Sequence, residues 1–550
     1  MKNLILKGIV GLVVVVVGTS CGGNTDSLMS ADIGSGTDEE FTGESLEGGA
    51  VSEVEIDGST GEAVLDFGEI PDSRRYVLSI YHYSESGSAD AFALGSVNEE
   101  GIDFRGLKLA GLLSDESEDM TEDFHEWLRH EEEYLDEEAR LNNPNLSGLR
   151  AAKGSIDPAV GSTKSFKVLN SFGGAGSTST VTAVLRYKTS NFLLYVDERN
   201  VDSLSDSDLE ELAIPFDALI PEERALFGEE SDINGDGRFS ILLTQEVNEL
   251  GGSSGGIITG FFYAVDLFSS STYPQSNEQE VYYTFVPDPD GAFGSPISKS
   301  FTLSNILPGV LPHEFQHMIN FNMHYFVNDG AAEAAWLNEG LAHLAEDIYS
   351  MNDAGYMEKT GIENSARMAG YLRDIDNICF SCGASLYQRG GSYLFMRYLY
   401  EQAEKGNLSG AASSAGLIGR LLDTDATGVQ NVVQAALGED VPTGPGFRRG
   451  LMGPFGVAVF MSNTALSGGD SRLEFSGINL RAAADDNRGT VLDGPVVRSA
   501  TSFPVTKTIA RGSISYLGLK GEDIRRLGGK LKLEMGTGPN SGAYLIQTGL

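Results

Sequence analysis

Cysteine is scarce in this 550-residue chain, which contains only Cys21, Cys379 and Cys382. A four-cysteine structural zinc site is therefore excluded, because no second pair of cysteines is present to complete it. Cys379 and Cys382 lie close together in the segment CFSC, and a local disulfide is the favoured interpretation in an oxidising compartment. A redox-active pair is the alternative that remains open.

Basic residues are also few: 38 Lys and Arg stand against 79 Asp and Glu, which gives a formal net charge of -41. A field of this sign repels nucleic acid and anionic lipid headgroups, so neither is an expected partner. Apolar residues make up 41% of the chain, as in ordinary folded proteins, so disorder is expected only in segments.

The apolar run GIVGLVVVVVG at residues 8–18 is too short to span a bilayer comfortably. Lys2 and Lys7 precede this run and GTSC follows it, so residues 1–20 are predicted to be a signal peptide. The segment resembles a bacterial lipoprotein signal, which implies cleavage before Cys21 and a lipid anchor on its thiol. Plain secretion is the alternative. Either way, we expect the mature protein outside the cytoplasm, at the cell envelope if it is lipid-anchored.

The rest of the chain divides by composition into four parts. Residues 21–50 are rich in Gly, Ser and acidic side chains and are expected to form a flexible tether. Residues 51–150 are predicted to be a β-rich region with an acidic helical connector, and a propeptide role is left open. Residues 151–440 mix strand and helix signals, and residues 441–550, including FGVAVFM, are predicted to be β-rich again. The expected fold class is α+β, with β-rich regions on both sides of a central unit.

The acidic connector contains His125 and His130, which at first sight resemble a metal-binding pair. The two histidines are five positions apart, and at 100° per residue they diverge by about 140° around a helix. A solvated helical connector is therefore the favoured interpretation of this segment.

The segment HEFQH, residues 313–317, carries the strongest chemical signal. His313 and His317 are one helical turn apart, so their imidazole nitrogens can converge on one Zn²⁺. Glu314 lies to the side of this pair, where it can take a proton from metal-bound water. His324 is too far along the helix to complete the site and is expected to have a substrate-side or structural role.

A third ligand is expected from WLNEGLAH, in which apolar residues recur at helical spacing. Glu339 and His343 share a different, polar face of this predicted helix. Placing Glu339 against the HEFQH helix gives two His ligands, one Glu ligand and an open position for water, which is typical of a catalytic zinc site. A solvated helical carboxylate is the alternative for Glu339.

HEFQH followed by WLNEGLAH resembles the gluzincin metallopeptidases, in which a downstream Glu is the third zinc ligand. The surrounding sequence is most similar to the hyicolysin-type family of secreted bacterial metallopeptidases, and WLNEGLA is also similar to the aminopeptidase N family. The resemblance covers about residues 180–460 and implies a zincin-like domain with a helical C-terminal half.

The segment LYQRGGSYLFMRYLYEQ is similar to an aminopeptidase N helix whose tyrosine hydrogen-bonds the tetrahedral intermediate. Carried over, the resemblance gives that catalytic role to Tyr387, with Tyr393 as the substitute and a buried structural tyrosine as the alternative. His343 could orient Glu339 from one turn away, or it could simply be a histidine on a polar face.

GGIITGFF at 255–262 lacks the Glu with which aminopeptidases hold a free N-terminus, so an endopeptidase is favoured. Residues 280–287 could supply the edge strand along which a protein or peptide substrate lies. The expected function is an exported zinc-dependent endopeptidase. The alternatives are an aminopeptidase and a non-catalytic surface lipoprotein or adhesin.

DINGDGRFS matches the first half of an EF-hand calcium loop through Asp232, Asn234, Asp236 and the carbonyl of Arg238. The twelfth position is Leu243, so the bidentate Glu of such a loop is absent. Either another segment completes a Ca²⁺ site or the motif is a tight Asx-Gly turn.

Overall fold

The computed structural model describes residues 51–97, 124–135, 157–349 and 364–549, apart from 86, 88, 134, 174–175, 253–256, 467–468, 488 and 537–539. The predicted signal peptide, the tether and Cys21 lie outside these residues. The described chain is an α+β protein: strands predominate in its first and last parts, helices predominate between residues 307 and 461, and the two alternate only through the central sheet. No described helix is long and apolar enough to cross a membrane.

The strands are β1 (Val51–Glu53), β2 (Glu62–Asp66), β3 (Arg75–His82), β4 (Asp90–Ser96), β5 (Thr163–Ser171), β6 (Ser177–Lys188), β7 (Phe192–Asp197), β8 (Phe239–Leu243), β9 (Gly260–Phe262), β10 (Val281–Thr284), β11 (Arg498–Ser499), β12 (Val505–Ile509), β13 (Ser513–Lys520), β14 (Lys530–Met535) and β15 (Ser541–Gly549). The helices are α1 (124–133), α2 (Asp206–Phe227), α3 (Gln245–Leu250), α4 (Leu307–Phe321), α5 (Ala335–Tyr349), α6 (Ser365–Arg373), α7 (Leu386–Glu404), α8 (Ser414–Leu422), α9 (Gly428–Leu437), α10 (Gly453–Met461) and α11 (Gly521–Arg526). Turns of π-helix flank α4 on both sides.

The central sheet has six strands in the order β5-β6-β7-β8-β10-β9. Strands β7, β8 and β10 are parallel and fully buried, as their continuous apolar sequences require. Strand β9 pairs antiparallel with β10 and ends the sheet. The prediction that residues 280–287 form the edge strand is therefore wrong. Strand β10 is paired on both sides, and the GFF part of the glycine-rich segment forms the edge.

Two further sheets form a β-sandwich. In each sheet, strands from the amino-terminal part of the described chain lie beside strands from its carboxyl-terminal part. Strand β3 lies between β15 and β13, and β14 lies between β4 and β2. Apolar residues of both sheets, such as Leu78, Leu94 and Leu533, fill the space between them. The predicted boundaries around 51–150 and 441–550 thus divide one sandwich, because strands from both ranges share its sheets.

Helix α10 corrects the prediction of a strand at FGVAVFM. All nine residues of Gly453–Met461 are buried, so the segment has no polar face to reveal a helical period. The helix lies against the sandwich, where the Tyr516 hydroxyl donates to the Gly456 carbonyl oxygen at 2.6 Å. A helix that is apolar on every side cannot be told from a buried strand by its pattern alone.

The sequence predicts that the acidic connector around His125 and His130 is solvated, and helix α1, the part of it that the structure describes, corrects this expectation. Phe124, Leu128 and Glu132 follow one another at i, i+4 and i+8 and are all buried. Arg129 is buried with them. This helix therefore packs along one whole face, and only its opposite face, which includes His130, is exposed.

A disulfide joins Cys379 and Cys382 in the connection between α6 and α7, with Cα atoms 5.5 Å apart. A Cβ atom built on Gly512 would lie 2.5 Å from Cys379 Sγ, so the disulfide packs directly on the β12–β13 turn. Gly512 has a φ of 64°, a left-handed conformation that a side chain would strain. The disulfide therefore anchors the helical layer against the sandwich.

Candidate metal centre

Helix α4 presents the two candidate histidine ligands one turn apart. Its opposite face is apolar, and Phe315 stacks on Phe239 of β8 with ring centroids 4.7 Å apart. Pro308 stands in the first turn of the helix, where its missing N–H is tolerated. Packing of Phe315 fixes the rotation of α4, and His313 and His317 consequently face α5.

His313, His317 and Glu339 converge on one point. The Nε2 atoms of the two histidines are 3.1 Å apart. The Glu339 carboxylate places Oε2 at 3.8 Å from His313 Nε2 and Oε1 at 3.7 Å from His317 Nε2. A tetrahedral zinc ion with bonds of about 2.0–2.1 Å separates its ligand atoms by about 3.3 Å. One ion therefore fits among these three side chains, which the sequence had grouped together.

The surroundings of Glu339 supply a second sign that a cation belongs here. Both of its carboxylate oxygens are buried and have no hydrogen-bond partner. The guanidinium nitrogens of Arg129 and Arg389 lie 3.6 and 3.8 Å from these oxygens, too far for hydrogen bonds, and a buried polar group left without one costs on the order of 2–7 kcal/mol. A bound cation would satisfy these oxygens, and two imidazoles with one carboxylate form a donor set that suits zinc. The residues present therefore fit a zinc ion.

Neighbouring polar groups orient the histidines. The Nδ1–H of His317 donates to Asn338 Oδ1 at 2.8 Å, which leaves the Nε2 lone pair free to bind a metal. Burial also holds the pKa of His317 well below its usual value, so the ring is neutral. On the other histidine, His313 Nδ1 lies 3.4 Å from Glu346 Oε2.

His343 lies beside Glu339, where the sequence predicted a supporting role. Its Nε2 is 3.8 Å from Glu339 Oε2, and its Nδ1–H donates to Glu346 Oε2 at 2.6 Å. Although burial opposes ionisation, Arg367 and the two histidines hold the pKa of Glu346 well below its usual value. Glu346 is thus a carboxylate that links His313 to His343.

Glu314, the candidate base, lies between α4 and the edge strand β9. Its carboxylate accepts a hydrogen bond from the Phe262 backbone. A Cβ atom on Gly260 would be only 3.3 Å from Glu314 Oε1, so the glycine lets the strand approach this closely. Burial raises the pKa of Glu314 to about 7, against the opposing effect of His313 and Arg129. A carboxyl group with a pKa near neutrality is suited to exchange protons with water and a leaving amine.

Helix α1 also contributes side chains to this centre. Arg129 Nε lies 3.6 Å from Glu339 Oε1, and His125 Nδ1 lies 3.9 Å from the same oxygen. From α7, Arg389 Nη1 lies 3.8 Å from Glu339 Oε2. The metal-facing carboxylate is therefore flanked by two guanidinium groups as well as by imidazoles.

Tyr387 and Tyr393, the two tyrosines to which the resemblance gives a catalytic role, contact other residues than the candidate metal ligands. Tyr387 is 42% exposed, and its ring packs over Gly370 of α6, where an added Cβ atom would lie 2.1 Å away. Tyr393 is buried and its hydroxyl donates to Asp347 Oδ2 at 2.9 Å. Tyr393 therefore has a structural contact, and the residue of α7 that contacts the metal ligands is Arg389.

The loop of Asp232, Asn234 and Asp236 uses its side-chain oxygens within the turn. These three oxygens accept backbone N–H groups of Gly237, Asp236 and Arg238, respectively, at 2.9–3.1 Å. In the described residues, the two clusters that could hold a metal both contain His313. The Asx-turn interpretation accounts for these bonds, and calcium binding stays a prediction. His324 is buried near Glu333 Oε2, at 3.6 Å, away from the metal ligands.

Sequence reasoning missed Asn338, Arg389 and the contribution of α1. Asn338 directly precedes Glu339 in WLNEGLAH, so its position next to a ligand was the available signal. In α1, the available signal was the spacing of His125, Arg129 and Glu132. These residues stand at i, i+4 and i+7 and therefore share one face of the helix.

No protein-family model matches the chain, and no curated protein is significantly similar to it. The resemblance of HEFQH and WLNEGLAH to gluzincins consequently stays a prediction that rests on these segments and on the geometry around them.

We expect Asn338→Ala to weaken zinc binding by about 10- to 100-fold, because it removes the acceptor that fixes the His317 tautomer. Competition with a zinc chelator at neutral pH measures this affinity. Asn328→Ala is the control, since Asn328 hydrogen-bonds the backbone at the end of the π-turn rather than a metal ligand. Equal zinc affinity in the two variants would contradict the orienting role of Asn338.

Proposed function

We propose that this chain is a zinc-dependent endopeptidase with a zincin-like catalytic unit. The observation that carries the proposal is the convergence of His313, His317 and Glu339 with the Glu314 carboxylate beside them. A structural zinc site has no use for a carboxylic base, and this centre keeps one at the edge of a sheet.

When bound, zinc would polarise a scissile carbonyl and lower the pKa of a coordinated water. Glu314 would accept the proton of the attacking water and deliver it to the departing amine. The Phe262 backbone contact holds the carboxylate at the edge of β9, so that one group can serve both transfers. Burial keeps His317 neutral against the opposing effect of its hydrogen bond to Asn338, so its ligand atom stays unprotonated.

Strand β9 supports a substrate that is itself a polypeptide. It ends the six-stranded sheet, and an extended peptide can pair with such an edge through main-chain hydrogen bonds that depend little on sequence. Residues 257–262 contain no acidic side chain that could bind a free N-terminus. The described carboxylates nearby, Glu132 and Glu346, already contact Arg129 and His343. These features favour cleavage within a chain over removal of single N-terminal residues.

Export of this enzyme is part of the proposal and rests on the amino-terminal sequence. Its substrates would then be external or envelope proteins and peptides, and Cys21 would carry a lipid anchor. The disulfide between Cys379 and Cys382 agrees with an oxidising compartment.

The test is an assay of the chain from residue 22 onward, loaded with zinc, on casein and on peptides with blocked or free N-termini. Because α1 covers the centre, the wild-type chain and an Arg129→Ala variant are assayed together. We expect one zinc per chain and cleavage of casein and blocked peptides, lost on chelation and restored by zinc. Cleavage of free-N-terminus peptides alone would identify an aminopeptidase. Bound zinc without hydrolysis in both proteins would favour a non-catalytic surface protein.

A further inference from the structure

The candidate metal centre is almost closed to solvent. Glu339 is 0% exposed, His317 1% and Glu314 3%. A scissile carbonyl has to reach the metal and the base within bonding or hydrogen-bonding distance. A protein that cleaves peptides at this centre must therefore move whatever covers it.

Helix α1 supplies a charged cover over the space between α5 and β9, which we call the cleft. Arg129 contacts Glu339 of α5 through Nε, and its Nη2 donates to the Phe262 carbonyl oxygen of β9 at 3.4 Å. Its Nη1 pairs with Glu132 at 2.9 Å, and Glu132 accepts a hydrogen bond of 3.4 Å from Asn338 Nδ2. The same side chains thus contact a metal ligand, the residue that orients His317, and the edge strand.

An aromatic contact fixes the amino-terminal end of α1. The Phe124 ring meets Phe261 of β9 and Phe172 of the β5–β6 connection edge-on, with centroids 5.4 Å apart in each case. Leu128 lies one turn further along and is fully buried. The helix therefore lies against the outer side of β9, where an extended substrate would have to pair.

We propose that α1 is a built-in inhibitor that occupies the substrate cleft and must withdraw before a peptide can bind. This inference rests on the proposed function and adds its regulation. Buried polar groups make up much of the contact, and their hydration on release offsets part of the lost attraction. Docking of α1 is consequently weaker than packing of a wholly apolar helix, as a reversible cover requires.

The strand pairing limits the inhibitory segment to the neighbourhood of α1. Strands β2, β3 and β4 lie within the sheets of the sandwich, where β13, β14 and β15 depend on them for hydrogen bonds. Removal of 51–150 as one propeptide would break these sheets. Displacement or cleavage around α1 would open the centre and leave the sandwich whole.

The test compares full-length Phe124→Ala and Arg129→Ala chains with wild type and with His130→Ala, a change on the exposed face of the same helix. The first measurement is the rate at which excess chelator removes zinc from the loaded protein. We expect about tenfold faster removal in both cleft variants, the result of weakening α1 docking by about 1.4 kcal/mol. Loss of the Arg129 cation would by itself strengthen zinc binding, so faster removal reports opening of the cover.

The second measurement is the rate of hydrolysis of a blocked peptide. We expect this rate to rise about tenfold in Phe124→Ala and Arg129→Ala and to stay at the wild-type value in His130→Ala. If zinc removal and hydrolysis are both unchanged in Phe124→Ala and Arg129→Ala, the proposal that α1 is an inhibitor is wrong. A fall in kcat for Arg129→Ala without faster zinc removal would also overturn it and make α1 a permanent wall of the site. Faster zinc removal with no hydrolysis by any variant would support the cover and count against the peptidase. Should Arg129→Ala fail to fold, Phe124→Ala alone decides.

Discussion

Glu314→Gln is expected to lower peptide hydrolysis by roughly 100- to 10,000-fold while zinc binding is retained. The amide has nearly the same shape as the carboxylate and can still contact the Phe262 backbone, but it cannot accept a proton from water. The three metal ligands are unchanged, so the effect should fall on kcat. Steady-state kinetics and zinc content, measured on the same preparation, check both halves of this expectation.

Glu223→Gln provides the matched control for this change. Glu223 is another fully buried glutamate, on α2, and burial raises its pKa well above the usual value. Burial thus favours the uncharged carboxyl group, and an amide of nearly the same shape replaces it. We expect hydrolysis within about twofold of wild type, the effect of a change outside the reacting groups. An equal loss of hydrolysis in Glu314→Gln and Glu223→Gln would contradict the role of Glu314 as the base.

Asp347→Asn is expected to lower the free energy of unfolding by about 3–5 kcal/mol, since it leaves Arg397 buried without its full counter-charge. Arg397 forms an ion pair with Asp347 and another with Glu401, whose Oε1 is 2.9 Å from its Nε. Tyr393 adds a hydrogen bond to the same aspartate. The pair connects α5 to α7 one turn beyond His343, so it also supports the ligand-bearing helix.

Chemical denaturation gives the free energy of unfolding, with Arg472→Ala as the control. Arg472 also forms a close ion pair, with Asp470, but its side chain is 55% exposed. Surface pairs of this kind contribute about 1 kcal/mol or less. If Asp347→Asn and Arg472→Ala lower the free energy of unfolding by similar amounts, burial does not increase the contribution of the Asp347–Arg397 pair to stability.

The metal ligands were the part of the site most open to prediction from the sequence. A helix forces residues at i and i+4 onto one face, so HEFQH fixes the relation of His313 to His317 wherever the helix lies. Glu339 required a further assumption about how α5 packs against α4, and the structure brings its carboxylate to the two histidines. The central strands β7 and β8 were likewise predictable, because fully apolar runs of this length are typical of buried strands.

Features that depend on distant parts of the chain were not predictable from local pattern. The pairing of β3 with β13 and β15 joins segments separated by more than four hundred residues, and nothing in either segment names its partner. Strand β9 is only three residues long, so the edge of the sheet was assigned to the longer apolar run that became β10. The acidic composition around α1 indicated a solvated helix. One face of this helix is nevertheless buried, because it packs against β9 and α5, which are distant in the sequence.

Tyr387 illustrates a limit of transferring a role by resemblance. Its segment is similar to the aminopeptidase N helix, yet Tyr387 packs over Gly370 while Arg389, two positions later, approaches Glu339. Positions two apart on a helix point about 200° apart, so a small difference in helix rotation decides which residue reaches the metal.

Anomalous scattering at the zinc absorption edge, from crystals of the zinc-loaded chain, tests the metal centre most directly. We predict one peak per chain at about 2.0–2.1 Å from His313 Nε2 and His317 Nε2, and at a similar distance from a Glu339 oxygen. The peak should persist in Glu314→Gln and vanish in Glu339→Ala. Zinc bound elsewhere, or no peak among these three residues at full occupancy of zinc in solution, would contradict the account.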